Sequence, residues 1–146
     1  MRVQVGVTIE APPDKVWQVV EPIERHVDWM ADAESITFTS EQHRGVGTTF
    51  DCLTKIGAFR TTDRMVVTEW EPERAIGIEH QGLFTGTGRF SLRNMGAGRT
   101  RFTWTEDLEF PLWFGGPLGA RAAKPMLRRV WRANLERLER LVASAP

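Results

Sequence analysis

The first part of the chain changes from an alternating pattern to a helical one. Apolar side chains alternate with polar residues or glycine at Val3, Val5, Val7 and Ile9. This period of two predicts a strand with one buried face. The Pro12-Pro13 pair ends the strand, because proline cannot donate to a strand ladder and suits the first turn of a helix. Residues 16–20 then have helical spacing, and Pro22 separates them from a second short helical stretch over 23–30.

From Ser35 onward the alternating pattern returns and predicts six further strands. The first of them contains Ile36 and Phe38, and the others are expected at 48–56, 59–70, 74–80, 84–95 and 99–110. Glycine-containing turns and a Glu-Pro-Glu turn lie between them. Because connections this short join antiparallel neighbours, we expect one antiparallel sheet.

The end of the chain has a helical period over residues 118–142. One side is apolar, with Leu127, Val130, Trp131, Leu138, Leu141 and Val142. The other side is basic, with Arg121, Lys124, Arg128, Arg132 and Arg140. Pro125 lies inside the pattern, so we expect it to kink or split the helix. A sheet with one apolar face must cover that face, and this helix is the available cover.

These elements together predict an α+β fold in a single domain over 1–146. A curved seven-stranded antiparallel sheet is expected to wrap around a long C-terminal helix, with two short helices after the first strand. A chain of 146 residues fits one domain and can bury a core without a disulfide. A sheet that curves around a helix can also enclose a cavity.

Composition and charge narrow the function classes. The 19 Lys and Arg balance the 19 Asp and Glu, which weakens a nucleic-acid or membrane-binding hypothesis. Six Trp and eight Phe without any Tyr suit a core or an apolar cavity wall. The N-terminus lacks a signal-peptide core, and no apolar run reaches the ~18 residues of a membrane span. We therefore expect a cytoplasmic monomer or homodimer that neither binds nucleic acid nor inserts stably into membranes.

Several short motifs are spread over essentially the whole chain. They are segment 9–17, Glu21-Pro22 with Trp29, Gly45-Val46-Gly47-Thr48, Trp70-Glu71-Pro72 and segment 98–104. With the element order, they resemble the helix-grip fold of the START/birch-pollen-allergen/polyketide-cyclase (SRPBCC) superfamily. The resemblance implies a hydrophobic small molecule, such as a lipid, polyketide or quinone, held between the sheet and the terminal helix. It implies either binding and transport or cyclase activity, and it carries over no catalytic residue.

Strand parity identifies Glu106 as the first candidate for chemistry. The face that carries it is otherwise apolar, with Phe102, Trp104, Leu108 and Phe110. Desolvation raises the pKa of a buried carboxyl group, which is one way to make a general acid or base. The alternative is that Glu106 lies at a rim or pairs with an arginine.

Two further titratable residues have less certain positions. His80 shares parity with Ile76 and Ile78, so it can face inward and orient a carbonyl group or move a proton. The alternatives are a hydrogen-bonded core histidine and a histidine at the end of its strand in solvent. In the strand 59–70, Asp63 faces inward if Met65 does, and a bulge before Trp70 can switch the faces. Glycines at 86 and 88 either open volume beneath a ligand or relieve strand curvature. Contact between His80 and Glu106 is not predictable, because their strands are not consecutive.

The candidate residues make three functions possible. The predicted catalytic candidates are Glu106, His80 and Asp63, and the predicted ligand-binding residues are Phe50, Met65, His80, Phe90, Phe102, Trp104, Glu106, Met126 and Val130. The first function is binding of a hydrophobic or aromatic molecule, and the second is a polyketide cyclase/aromatase or dehydratase-like reaction in the same cavity. The third and weakest is a chaperone-adaptor role.

Neither a metal site nor a cofactor is expected. Glu24, His26 and Asp28 lack a second cluster of ligands. Gly86-Thr87-Gly88 is followed by no helix, so it is not a phosphate loop. The aromatic and glycine-rich segment 113–118 is either a portal for a ligand or a packed connection.

Overall fold

Seven strands, two α-helices and two 3₁₀ helices make up the fold. The computed structural model describes residues 1–146. In chain order the elements are β1 (Arg2–Ile9), α1 (Pro13–Val20), a 3₁₀ helix (Ile23–Asp28), β2 (Ala33–Phe38), β3 (Thr49–Ile56), β4 (Phe59–Glu71), β5 (Ala75–Gln81), β6 (Thr85–Gly96), β7 (Arg99–Glu109), a 3₁₀ turn (Leu112–Phe114) and α2 (Gly116–Ser144). None of the helices combines the length and the apolar character that a membrane crossing requires.

All seven strands form one antiparallel sheet in the order β1-β7-β6-β5-β4-β3-β2. Five of its pairings join consecutive strands, as the short connections predict. The sixth pairing places β1 beside β7 over the whole length of β1, from Arg2 opposite Asp107 to Ile9 opposite Thr100. The curved sheet with a long C-terminal helix and two short helices confirms the predicted fold class.

The β4 strand changes face at a bulge. Its pairing with β5 shifts between Val67 and Glu69, which confirms the bulge that the sequence allowed before Trp70. Val67 is buried beneath the bulge, and Trp70 packs edge-on against Trp17 with ring centroids 5.4 Å apart. Met65 pairs directly with His80, so the first half of β4 presents Asp63 and Met65 to the interior.

The long helix α2 lies against the concave face of the sheet. Its buried side chains form one stripe, with Ala120, Leu127, Trp131, Asn134, Leu135, Leu138 and Val142. Of the two expectations for Pro125, a kink or a split, the split is wrong, since one helix runs from Gly116 to Ser144. Proline removes only the N–H that would bind the carbonyl group of Arg121. Because Arg121 is exposed, water can satisfy that carbonyl group.

Two hydrophobic clusters fill the space between the sheet and the helices. The larger cluster joins α1, α2, β1, β6 and β7, and the smaller one lies under β3 and β4 around Phe50 and Val67. Asn134 of α2, which is completely buried, donates to Asp32 and accepts the backbone N–H of Ala31. This contact fixes α2 to the segment between the 3₁₀ helix and β2, and members of both clusters line a cavity beside it.

Candidate functional site

A cavity of about 460 Å³ lies between the sheet and α2. Most of its wall is apolar, and aromatic rings from β6, β7 and α2 form much of it. The indole rings of Trp104 and Trp131 stack with centroids 5.0 Å apart. At the end of the cavity nearest the 3₁₀ turn, four phenylalanines contact one another: Phe59, Phe84, Phe110 and Phe114. The volume is in the range that encloses a small organic ligand.

Three titratable side chains meet in the wall of this cavity, and we call them the acid–histidine cluster: Asp63, His80 and Glu106. The Nδ1 atom of His80 lies 2.6 Å from Asp63 Oδ2, and its Nε2 atom lies 2.7 Å from Glu106 Oε2. The indole N–H of Trp104 donates to Glu106 Oε1 at 2.9 Å. The side chains of His80 and Glu106 are each only 8% exposed.

The pKa of His80 shows which charge the cluster holds. Burial alone lowers this pKa, but hydrogen bonds to Asp63 and Glu106, together with their negative charges, outweigh it and raise the pKa to about 10. At neutral pH His80 is therefore an imidazolium that donates one N–H to each carboxylate. The second oxygen of Asp63, Oδ1, is buried without a hydrogen-bond partner.

A glycine in the strand between β5 and β7 makes the cluster possible. His80 and Glu106 lie on β5 and β7, which β6 separates. Gly88 of β6 is paired with Glu106, and a Cβ atom there would lie only 2.6 Å from Glu106 Oε1. The Glu106 carboxylate therefore occupies the space that a side chain at position 88 would fill. The sequence left open whether Gly88 makes space for a ligand or relieves strand curvature; in the structure, the space at Gly88 holds the Glu106 carboxylate.

We expect Gly88→Ala to push the Glu106 carboxylate out of contact with His80. The substitution should cost about 1–3 kcal/mol of unfolding free energy, since the added methyl group overpacks a buried site. It should also lower the pKa of His80 from about 10, because one bonded carboxylate is lost. Denaturant unfolding and a histidine NMR titration measure the two effects.

Gly6→Ala is the matched control for this substitution. Gly6 lies in β1 of the same sheet, and a Cβ atom there would lie 2.8 Å from the end of the half-buried Arg101 side chain. That flexible guanidinium group can move away, so the titration of His80 should stay as in the wild type. An unchanged His80 pKa in Gly88→Ala would contradict this account of the cluster.

The structure places most of the predicted ligand-binding residues in the cavity wall. Besides the cluster, these are Phe50, Met65, Phe90, Trp104 and Met126. Phe102 and Val130 do not line the cavity, which corrects the prediction for these two residues. Phe102 faces inward as its parity predicts, but Trp29 packs against its ring and it is 0% exposed. Val130 packs against the larger hydrophobic cluster, and Leu127 and Trp131 take the cavity positions of that part of α2.

Sequence reasoning missed several polar residues of the wall, among them His26 and Asp32. His26, in the 3₁₀ helix, donates from Nε2 to the carbonyl group of Val20 at 2.7 Å. Its burial lowers its pKa to about 4, so the ring is neutral. Asp32 accepts hydrogen bonds from Trp131 and Asn134. Neither position was detectable, since a 3₁₀ helix and a turn have no hydrophobic period to indicate which side faces inward.

Cys52 and Trp131 also lie in the wall. Burial raises the pKa of the Cys52 thiol to about 11, which leaves it an inert apolar group at neutral pH. The i, i+4 spacing of Leu127 and Trp131 was the pattern that could have identified Trp131 as a cavity residue.

No group of three or more His, Cys, Asp or Glu side chains is arranged to hold a metal ion.

Comparison with known proteins finds one family and several solved structures. The family model described as polyketide cyclase/dehydrase and lipid transport matches residues 1–143. None of the curated proteins matches the chain. A Thermus thermophilus protein of known structure is 20% identical, with a TM-score of 0.82 over 99% of this chain and 100% of that one.

Two of the other similar structures are enzymes. The Zhui aromatase/cyclase from Streptomyces is 20% identical, with a TM-score of 0.77 over 98% of this chain and 93% of that one. Norcoclaurine synthase from Thalictrum flavum, solved in complex with dopamine and hydroxybenzaldehyde, is 15% identical, with a TM-score of 0.74 over 100% of this chain and 88% of that one. At these identities the likeness shows a shared fold.

Proposed function

The chain belongs to the polyketide cyclase/dehydrase and lipid transport family, and on that premise we propose that it binds an aromatic or polycyclic small molecule and catalyses proton transfer on it. The reaction class is a cyclisation or a dehydration. The observation that carries the proposal is the imidazolium of His80 between two carboxylates in the wall of an apolar cavity. Two titratable groups of opposite charge, held together away from water, are suited to acid–base chemistry.

The aromatic wall favours a flat ligand. Phe90 and Trp104 pack edge-on at 5.3 Å, and Trp104 stacks on Trp131, so their ring faces and edges form one continuous apolar surface. A planar molecule can replace water along this surface and gain from the removal of apolar area. The affinity then comes mainly from apolar burial, and the polar groups orient the molecule.

The charges in the wall favour a neutral ligand over an anion. Three carboxyl groups line the cavity, those of Asp32, Asp63 and Glu106, against one imidazolium. The guanidinium group of Arg89 binds Glu69 through Nε at 2.8 Å in an exposed ion pair. Its positive charge is therefore neutralised by Glu69 and does not offset the carboxyl groups of the cavity. A carboxylate ligand would meet excess negative charge in a medium that screens it poorly. A ligand with hydroxyl or carbonyl groups fits this wall better.

The proposed dehydration uses both charges of the cluster. One carboxylate, Glu106 or Asp63, accepts a proton from carbon beside a carbonyl group of the ligand. The imidazolium of His80 delivers a proton to the departing hydroxyl group, which leaves as water. The protonated carboxyl group then returns its proton to His80 across their hydrogen bond of 2.6 or 2.7 Å. Protons balance, and the cluster ends as it began.

Binding without turnover is the second candidate. Both ring nitrogens of His80 already have carboxylate partners, and its pKa of about 10 makes it a weaker acid than neutral-pH catalysis prefers. In this case the cluster serves only to hold a hydroxyl group of the ligand. The Glu106 variant considered in the Discussion separates the two candidates.

Ligand binding is tested first by native mass spectrometry of the purified protein, which should show a retained small molecule. In parallel, the fluorescent probe N-phenyl-1-naphthylamine should bind, and 2-naphthol should displace it at least about tenfold more strongly than 2-naphthoate because of the wall charge.

The location of the probe is tested with two neighbouring alanines of α2. Ala123 lines the cavity, whereas Ala122 is exposed and does not line it. Ala123→Phe should abolish probe binding by filling the cavity, and Ala122→Phe should leave it unchanged. Equal probe binding by both variants would exclude this cavity as the binding site.

A further inference from the structure

Three large apolar side chains stand exposed where β7 gives way to α2, and we call them the apolar ridge: Leu112, Trp113 and Leu118. They are 85%, 75% and 78% exposed. Contiguous exposed apolar groups of this size are uncommon on a protein surface and mark interaction sites. Tryptophan in particular is enriched where an apolar layer meets water.

The first five turns of α2 carry a second unusual feature, a basic stripe formed by Arg121, Lys124, Arg128, Arg129 and Arg132. No Asp or Glu occurs from residue 116 to residue 135. None of the five has a carboxylate within ion-pair distance, whereas arginines elsewhere do, such as Arg2, Arg64 and Arg89. The Nε atom of Arg128 is also buried without a hydrogen-bond partner. The balanced net charge of the chain therefore conceals an unneutralised cationic surface.

Leu118 shares one face of α2 with the stripe, and Leu112 and Trp113 lie in the 3₁₀ turn just before that helix. Leu118 lies three residues before Arg121, and Arg128, Arg129 and Arg132 follow at helical spacing. The stripe residues line one groove, in which Glu136 at the far end is the single acidic residue. The positive end of the helix dipole lies at the same end of α2 as the ridge and adds to the potential there.

We propose that this face docks on an anionic phospholipid bilayer, with the apolar ridge in the interfacial layer and the basic stripe on the lipid headgroups. A bilayer surface satisfies both features at once, since it offers an apolar layer beneath a layer of negative charge. A nucleic acid would neutralise the stripe but would leave the three ridge side chains in water.

Docking would bring the cavity to the bilayer. Phe114 and Met126 line the cavity and are also 36% and 47% exposed, and Phe114 directly follows Trp113. The apolar wall of the cavity is thus continuous with the docking face. A lipophilic ligand can then pass between bilayer and cavity without crossing water. Docking requires only the exposed face, so it does not depend on the proposed reaction.

Vesicle flotation of the purified protein tests the docking. We expect binding to vesicles of phosphatidylcholine and phosphatidylglycerol in equal parts, no binding to phosphatidylcholine alone, and loss of binding at high salt. Arg121→Gln with Arg129→Gln should weaken binding about tenfold or more, since each basic residue near the surface contributes to the attraction. Trp113→Ser should weaken binding by a similar factor at unchanged charge.

Arg74→Gln with Arg99→Gln is the matched control. Both arginines are exposed and lie in or beside the turns at the other end of the sheet, so their loss should leave flotation unchanged. Thermal unfolding of each variant checks that the fold is retained. Equal binding to both vesicle types, or no binding to either, would overturn the proposal. So would binding to duplex DNA that the arginine pair weakens and Trp113→Ser does not.

Discussion

Glu106→Gln should reduce turnover of the cavity's ligand by about 10²- to 10⁴-fold, the usual contribution of a general acid or base. An amide cannot take up the proton that the proposed reaction removes from carbon. The amide NH₂ would also face one of the two N–H donors, His80 or Trp104, which now bind different oxygens of the carboxylate. Ligand affinity should change by less than about tenfold, because the apolar wall that supplies it is intact.

The pH dependence of the residual activity gives a second measurement. Removing the negative charge of Glu106 lowers the pKa of His80 from about 10, so the alkaline limb of the rate profile should move to lower pH. His80→Gln should abolish that limb, and the double variant should be little worse than either single one, since the residues act as a unit.

Glu109→Gln is the control for turnover. Glu109 ends the same strand but is exposed, so its loss should not affect the rate. If Glu106→Gln turns over the ligand as fast as the wild type, Glu106 takes no part in a reaction. If neither the wild type nor any variant turns it over, binding without chemistry is the function of the cavity.

Conformational stability should pass through a maximum near pH 6.5. His80 has a pKa of about 10 in the folded protein and 6.5 as an ordinary value, so the folded state holds its proton more tightly. Its contribution is complete below pH 6.5 and is lost as the pH rises toward 10. His26 acts in the opposite sense, because burial lowers its pKa to about 4. Its contribution is complete above pH 6.5 and is lost as the pH falls toward 4.

The two limbs should be large enough to measure separately. They amount to on the order of 5 kcal/mol for His80 and 3 kcal/mol for His26 over their full ranges. Urea unfolding between pH 4 and pH 9 measures them. The Cys52 thiol adds to the alkaline loss of stability only near the upper end of this range, because its pKa is about 11 in the folded protein and 9.0 as an ordinary value.

Histidine variants assign each limb. His80→Gln should flatten the alkaline limb, and His26→Gln should flatten the acid limb. His43 is exposed, and His43→Gln should leave both limbs in place. An alkaline limb that persists in His80→Gln would show that the carboxylates do not hold the imidazolium as the geometry indicates.

The alternating pattern within a strand predicted which face of the sheet each side chain occupies. The period of two was sufficient to place Trp104, Glu106 and Leu108 on the inner face of β7, since parity is a property of the strand itself. The same parity was correct for Phe102 but could not show how far the cavity extends along the strand. That limit is set by Trp29, which reaches Phe102 from a distant part of the chain.

The meeting of His80 and Glu106 was beyond prediction for the same reason. It requires that β6 lie between their strands and that Gly88 come level with Glu106. Both facts concern register across three strands, which single-strand alternation does not contain. The expected split at Pro125 was wrong because the tolerance of a helix for proline depends on whether water reaches the freed carbonyl group, a property of the tertiary structure.

The pairing of β1 with β7 has a consequence for how the protein is made. It joins residues as far apart in sequence as Arg2 and Asp107, so β1 has no neighbour in the sheet until β7, the last of the seven strands, has left the ribosome. Folding then depends on contacts between distant parts of the chain, which makes it slow and leaves an unpaired edge exposed meanwhile. Since α2 is synthesised later still and forms part of the cavity wall, the cavity is complete only after that helix has emerged.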